Sequence, residues 1–287
     1  MTDHAVHPLI AEGKIAVVPG VYDVLSARAA HRAGFGFAVL TGYGVSASYL
    51  GEPDFGLLTQ TEILDTARRI LNRVPMGLVV DGDTGFGGPL NVQRMVRELV
   101  RMGASGVILE DQTWPKRCGH MRGKDVIDAN EHVQKIRAAV DARGDAPFVI
   151  TARTDAIATH GLDEAIRRAK LYKEAGATVL FVEGPRTRED IVRIGKELPP
   201  PLAINLIEGG DTPLITPAEL QQLGFFSIGF VLSGLFAATR ALDRTYRHIR
   251  AHASTDAIRD QMLDFPGFVD FIGVQDRYAD DEKYRSR

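Results

Sequence analysis

A chain of 287 residues, 45% hydrophobic and 25% charged, can bury a sizeable core as one large domain or two small ones. Its formal net charge of -3 gives no electrostatic ground for a nucleic-acid or anionic-membrane partner. No apolar run approaches a membrane span, the start "MTDHAVHPLIAEGK" shows no secretory leader, and a single cysteine cannot close an intrachain disulfide, so the expected compartment is the cytoplasm.

Short apolar, β-branched runs recur along the chain with helical stretches between them. Strands are predicted at "IAVVPG" (15–20), "GFAVLTG" (36–42), "MGLVVDGD" (76–83) and "GVILED" (106–111). They continue at "FVITART" (148–154), "TVLFVEG" (178–184), "LAINLIE" (202–208) and "FFSIGFVL" (225–232). Most are apolar throughout rather than alternating, which suits parallel strands covered on both faces. Amphipathic helices are predicted between them, among others at 91–103, 131–144 and 162–176. In "RMGASGVIL", "KEAGATVLF" and "QLGFFSIGF" a glycine stops the helix and the next strand follows at once.

Eight alternating strand–helix units point to an α/β fold of the (β/α)8 barrel type. An open doubly wound sheet is the competitor, but "PGVYDVLSA" stands where its Gly-rich phosphate turn belongs. No linker marks a second domain. The expectation is one domain over 1–287, with the barrel at about 14–245 and a helical arm at about 246–287. After the eighth strand, 234–252 reads as a helix, and the tail "PGFVDFIGVQDRYADDEKYRSR" carries aromatics that a monomer has trouble covering.

In such barrels chemistry collects at the C-terminal strand ends. Those ends carry Asp81 and Asp83, then Glu110 and Asp111, Arg153 and Asp155, Glu183, and lastly Asn205 and Glu208. Like charges converging on one axis need a counter-ion. In "VVDGDTGFGG" the two carboxylates sit two residues apart and leave a strand on one face. Oxygen ligands without histidine suit Mg²⁺ or Mn²⁺ rather than zinc. By itself the pair is weak: it is also a β-turn, or the metal motif of a glycosyltransferase. Asp54 in "GEPDFG" and Glu110 would complete an acidic shell.

The single cysteine, Cys118, lies in "KRCGH". A lone thiol is more often a small buried hydrophobe than a catalyst. This one sits in a loop, where Lys116, Arg117 and His120 favour thiolate over thiol and Gly119 permits a tight turn. A small titratable acid beside a metal is what proton delivery to a carbanion requires. Trp114 and the histidines at 4, 7, 31 and 248 read as surface or packing positions, and His160 lies in a loop after the fifth strand.

The stretch "VVDGDTGFGGPLNVQRMVRELVRMGASGVILEDQTWPKRCGHMRGK" resembles the isocitrate lyase/phosphoenolpyruvate mutase superfamily. "TGYGVSASYLGEPDFGLLT", "ARTDA", "FVEGP" and "NLIEGGDTPL" fit in order, and the likeness is to the branch of the petal death protein and the 2,3-dimethylmalate lyases. The resemblance implies Mg²⁺ (or Mn²⁺) held by Asp81, with Asp54, Asp83 and Glu110 completing the shell through waters. It implies a substrate carboxylate held by Thr41, Gly42 and Tyr43, largely through backbone N–H groups, and substrate contacts from Gly119, Arg153, Glu183 and Asn205. Cys118 would be the proton donor, Lys116 and His120 would stand beside it on a gating loop, and Tyr43 is a candidate base. The fold implied is the barrel with its C-terminal helix exchanged between subunits, in a homotetramer.

The implied reaction is C–C cleavage of a small 2-hydroxy dicarboxylate to a 2-oxo acid, such as pyruvate, and a carboxylic acid. Phosphonate-forming mutases differ where "KRCGH" stands. Methylisocitrate lyases place an arginine where this chain has Phe236, leaving a third carboxylate unpaired unless Arg240 serves, and have "TEFG" in place of Ile207 to Gly210. The preferred substrate is therefore a 2-alkylmalate or 2,3-dimethylmalate. Oxaloacetate hydrolysis or decarboxylation comes second, methylisocitrate third, and a phosphonomutase or a non-catalytic metabolite-binding paralogue last.

Overall fold

The computed structural model describes residues 14–119, 121 and 123–285, so His4, His7 and His120 lie outside the described residues. Two compact units divide the chain, Met1–Leu235 and Phe236–Arg287. The first is a closed barrel of eight parallel strands in sequential order, as the pattern of apolar runs predicts.

The strands are β1 (Ala16–Val21), β2 (Phe37–Leu40), β3 (Gly77–Asp81), β4 (Gly106–Glu110), β5 (Val149–Thr154), β6 (Val179–Val182), β7 (Leu202–Asn205) and β8 (Phe225–Phe230). β1 closes the barrel on β8 through pairs such as Val17 with Ile228 and Val18 with Gly229. Between the strands run α1 (Val24–Arg32), α2 (Gln60–Leu71), α3 (Pro89–Arg101), α4 (Ala129–Arg143), α5 (Leu162–Glu174), α6 (Arg188–Glu197) and α7 (Pro217–Gln222).

Local sequence explains where these helices begin and end. Thr59 and Glu62 form a capping box on α2, Thr187 and Asp190 on α6, Thr216 and Glu219 on α7. Each such cap is worth about 1 kcal/mol. The glycines predicted to stop helices do so in the left-handed region: Gly103 has φ 78°, Gly176 φ 104° and Gly224 φ 85°. One layer of the core lies inside the barrel and one between strands and helices, where Leu40, Leu78, Val80, Leu109 and Ile150 are fully buried.

The outer surface is not evenly covered. Val17 on β1 is 43% exposed and Leu25 on α1 is 48% exposed, large apolar side chains on one side of the barrel. The second unit holds most of α8 (Ser233–His252), a 3-10 turn (Asp256–Gln261), α9 (Phe265–Ile272) and α10 (Val274–Glu282). Neither α9 nor α10 has a buried residue, and Phe265, Phe268 and Tyr278 are exposed. Among the described residues no helix is long and apolar enough to cross a membrane.

Candidate active site

The polar strand ends meet as the barrel geometry requires. A small cavity of about 50 Å³ opens at the C-terminal mouth, lined by Thr41, Tyr43, Asp54, Asp81, Cys118, Gly119, Arg153, Glu183 and Asn205. Its apolar walls come from Val39, Ile108, Phe181, Ile207, Val231 and Leu232.

Asp81 ends β3 and its carboxylate is fixed by the backbone. Oδ2 accepts from the Gly42 N–H at 3.0 Å and Oδ1 from the Asp83 N–H at 3.1 Å. Gly42 lets the two acids approach, because a Cβ there would stand 3.1 Å from a carboxylate oxygen of both Asp81 and Asp83 and push them back by a few tenths of an ångström. Asp83 follows with φ 48°, a left-handed conformation that turns the chain beneath the cavity. The N–H of Thr41 donates to the Val21 carbonyl. Thus two of the three backbone N–H groups expected to hold a substrate carboxylate have partners within the protein.

Behind these residues lie three fully buried groups, Asp83, Glu110 and Lys116. The Lys116 ammonium is 2.8 Å from Asp54 and 2.5 Å from Asp83. Burial opposes its charge, but Asp83, Glu110, Asp81 and Asp54 outweigh that and hold the ammonium well above its usual pKa. Burial pushes the Asp83 carboxyl up to about 7 against the pull of Lys116, with Asp81 and Asp54 adding to the rise. Burial likewise raises Glu110 well above its ordinary range, against Arg153 and Lys116. The acids are short of positive charge.

This shortage tests the implied metal. Asp83 Oδ2 and Glu110 Oε1 are buried with no hydrogen-bond partner, and such groups call for an ion, a water or strain. The donor set is carboxylate oxygen throughout, which suits a hard divalent cation. Among the described residues no three His, Cys, Asp or Glu groups are placed to hold an ion directly. The arrangement therefore fits a cation gripped partly through water, as Mg²⁺ commonly is.

Arg153, from β5, is the cation at the opposite wall. Its guanidinium donates twice to Asp155 at 2.9 Å and stands 3.2 Å from Glu110 and 3.5 Å from Glu183. Burial works against this charge, yet Asp155, Glu110 and Glu183 hold it firmly protonated. Tyr43 is half-buried, and burial together with Cys118 and Asp54 pushes its phenol up. At neutral pH it keeps its proton.

The loop carrying Cys118 folds over this mouth. Its neck is a bridge between Gln112 and Val126, and the Cys118 N–H donates to the Asp54 carbonyl at 3.2 Å. Gly119 sits so close to the far wall that a Cβ would meet Arg153 Nη2 at 2.5 Å and Glu183 Cγ at 2.6 Å.

Not every strand-end charge converges. Asp111 follows Glu110 and points the other way, as alternation dictates. There Oδ2 accepts from Thr154 Oγ1 and Tyr172 OH, each at 2.7 Å, and from Arg168 at 3.1 Å. Its Oδ1 accepts from the Asp155 N–H at 2.9 Å. Glu208 is exposed and takes a hydrogen bond from Ser233, and His160 is exposed beside Thr159. Three residues near the site have no assigned role in the sequence reading. Asp155 orients Arg153, a partner legible from their spacing of two on one strand. Lys124 approaches from the loop, and buried His132 lies under Tyr172.

Several known proteins are similar to this chain over nearly its whole length. The family model described as "Phosphoenolpyruvate phosphomutase" matches residues 6–250. The petal death protein of Dianthus caryophyllus is 48% identical over 98% of this chain and 88% of its own. A chloroplastic carboxyvinyl-carboxyphosphonate phosphorylmutase of Arabidopsis thaliana is 45% identical over 97% and 83%. The 2,3-dimethylmalate lyase of Eubacterium barkeri is 41% identical over 93% and 92%. Among solved structures, oxaloacetate acetylhydrolase with the inhibitor 3,3-difluorooxalacetate superposes with a TM-score of 0.89 at 37% identity, covering 96% of this chain and 94% of that one. Phosphonopyruvate hydrolase in complex with oxalate and Mg²⁺ superposes with a TM-score of 0.86 at 29% identity, covering 96% of each. With its carboxylate-rich barrel mouth and its "KRCGH" loop, the chain belongs to the phosphoenolpyruvate phosphomutase family and is a lyase of the isocitrate lyase/PEP mutase superfamily.

Proposed function

We propose that this lyase cleaves the C2–C3 bond of a small 2-hydroxy dicarboxylate, a 2-alkylmalate or 2,3-dimethylmalate, to a 2-oxo acid such as pyruvate and a carboxylic acid. One observation carries the reading: a thiol, a fixed guanidinium and the carboxylates of Asp54, Asp81 and Glu183 line the same small cavity, with unpartnered oxygens of Asp83 and Glu110 buried behind it. Asp81 would hold Mg²⁺, with Asp54, Asp83 and Glu110 around it through waters. When bound, the ion would supply electron withdrawal that makes a hydroxyl on the substrate acidic near neutral pH, and the hydroxyl proton would leave to a water of the site.

The chain's own groups do the rest. Arg153, locked by Asp155, pairs with a substrate carboxylate and stabilises the charge that gathers on it as the bond breaks. Cys118 delivers a proton to the departing carbon, with its loop excluding water. Tyr43, which keeps its proton, donates a hydrogen bond to a substrate oxygen. Glu183 and Asn205 shape the far side. His120 completes the thiol's surroundings on the sequence grounds given above.

Size and charge favour the smaller substrates. Arg153 is the one cation among the described residues lining the cavity, whose remaining wall is largely apolar. That suits an alkyl group better than the third carboxylate of a methylisocitrate. Oxaloacetate is the second reading, since oxaloacetate acetylhydrolase and 2,3-dimethylmalate lyase superpose equally well, each with a TM-score of 0.89. The uncovered Val17 and Leu25, and the apolar face of α9, support a C-terminal arm exchanged between subunits of a homotetramer.

The purified protein should form pyruvate from 2,3-dimethylmalate with Mg²⁺ in a coupled assay, lose activity with EDTA and regain it with Mg²⁺. Cys118→Ala should lower turnover by about 10²-fold or more. Near wild-type turnover in Cys118→Ala would remove the proton-donor role, and oxalate accumulating from oxaloacetate alone would select the second reading.

A further inference from the structure

Lys124 lies beyond the "KRCGH" stretch, yet its ammonium turns back to the barrel wall behind the cavity. It donates to the Gly119 carbonyl, next to the thiol, and to Asp155 Oδ1 at 3.3 Å. The Lys124 side chain is 6% exposed and the Asp155 side chain fully buried. The same Asp155 carboxylate takes both hydrogen bonds from Arg153. One anion therefore secures the loop on one side and the guanidinium on the other.

The rest of the loop shows why this tie matters. Its neck is held by the Gln112–Val126 bridge and by the Ile127 N–H on the Asp111 carbonyl. Its entry is held by Lys116 on Asp54 and Asp83. Gly119 must approach Arg153 and Glu183 closely enough to exclude any side chain. Between that approach and the neck, Lys124 ties the loop to the barrel wall.

We propose that Lys124 is a positioning residue that latches the Cys118 loop onto the Asp155–Arg153 pair, so that thiol placement and guanidinium placement are one event. This rests on the lyase reading for its catalytic meaning, though the latch itself is a property of the loop. Lys124 touches no reacting atom: it acts through the Gly119 carbonyl. Its removal should unfasten the thiol while Asp155 still grips Arg153.

The single cysteine makes this measurable, since a thiol reagent such as Ellman's disulfide has one place to react. In Lys124→Met the substrate-free protein should react about tenfold faster or more, as loss of a charge-assisted hydrogen bond implies. Loss of a nearby cation alone would disfavour thiolate and slow the reaction, so the sign separates opening from electrostatics. The kcat for 2,3-dimethylmalate should fall by a similar factor at little-changed KM, and Lys124→Arg should recover part of both effects. A thiol rate that is unchanged or slower in Lys124→Met overturns the latch, and so does a loss expressed wholly in KM. If Lys124→Met does not unfold cooperatively near the wild-type temperature, Lys124→Gln takes its place under the same criteria. If the wild type turns over no dicarboxylate, the lyase reading fails while the thiol rate still decides the latch.

Discussion

His132 on α4 should govern how the fold responds to acid. Its ring is fully buried and packs edge-on against Tyr172 at 4.6 Å between centroids, with only the Leu109 backbone favouring its charged form. Burial, reinforced by Lys135 and Arg168, pushes its pKa down to about 3. In the unfolded chain the ring titrates near 6.5. Below that pH the unfolded chain takes up a proton that the folded chain refuses, so stability is lost as pH falls from 6.5 towards 3. At pH 5 the loss from this one group is about 2 kcal/mol, from 1.5 pH units at ~1.36 kcal/mol each. His132→Phe adds about one methylene of volume and leaves no nitrogen behind. It should match the wild type within about 1 kcal/mol at pH 7.5 and exceed it at pH 5 by about 2 kcal/mol more than at pH 7.5. With a urea slope near ~3 kcal/mol/M for a chain this long, the midpoints should separate by roughly two-thirds of a molar. Equilibrium urea curves at the two pH values are the assay. Wild-type and His132→Phe midpoints that fall in parallel with pH would show the ring is not held neutral, and the reasoning would be wrong.

Two further substitutions probe the cavity wall. Gly119→Ala places a methyl group within 2.6 Å of both Arg153 and Glu183, and kcat/KM should fall by about 10- to 100-fold with the melting temperature nearly unchanged, because the loop is outside the core. Asp155→Asn keeps the shape but loses the charge that orients Arg153. KM for the dicarboxylate should rise about tenfold or more, read from initial rates, and an unchanged KM would show that Glu110 and Glu183 suffice to hold the guanidinium.

The barrel was legible because its cause is local and repeated. Eight apolar runs with a glycine stop before several of them leave few other ways to cover both faces of each strand. Asp81, Arg153, Glu183 and Asn205 were legible from their places at strand ends. Asp111 was not, because adjacency to Glu110 suggests a shared site while alternation sends the two side chains to opposite sides. Lys116 reads in sequence as a neighbour of the thiol, and only the folded loop commits its ammonium to Asp54 and Asp83. His132 and Lys124 gave no signal: one is a helix residue without periodic exception, the other a loop lysine, and each acquires meaning from a partner distant in the chain, Tyr172 for the first and Asp155 for the second.

Tyr172 and Arg168 belong to α5, outside the barrel wall, and neither borders the cavity. Yet both secure Asp111, which secures the backbone of Asp155, whose carboxylate aims Arg153. Altered catalysis can therefore arise in the helical layer without any change in a group that meets substrate. A mutational scan confined to the mouth of the barrel would overlook that lever, and so would an engineer who treats the outer helices as inert scaffolding.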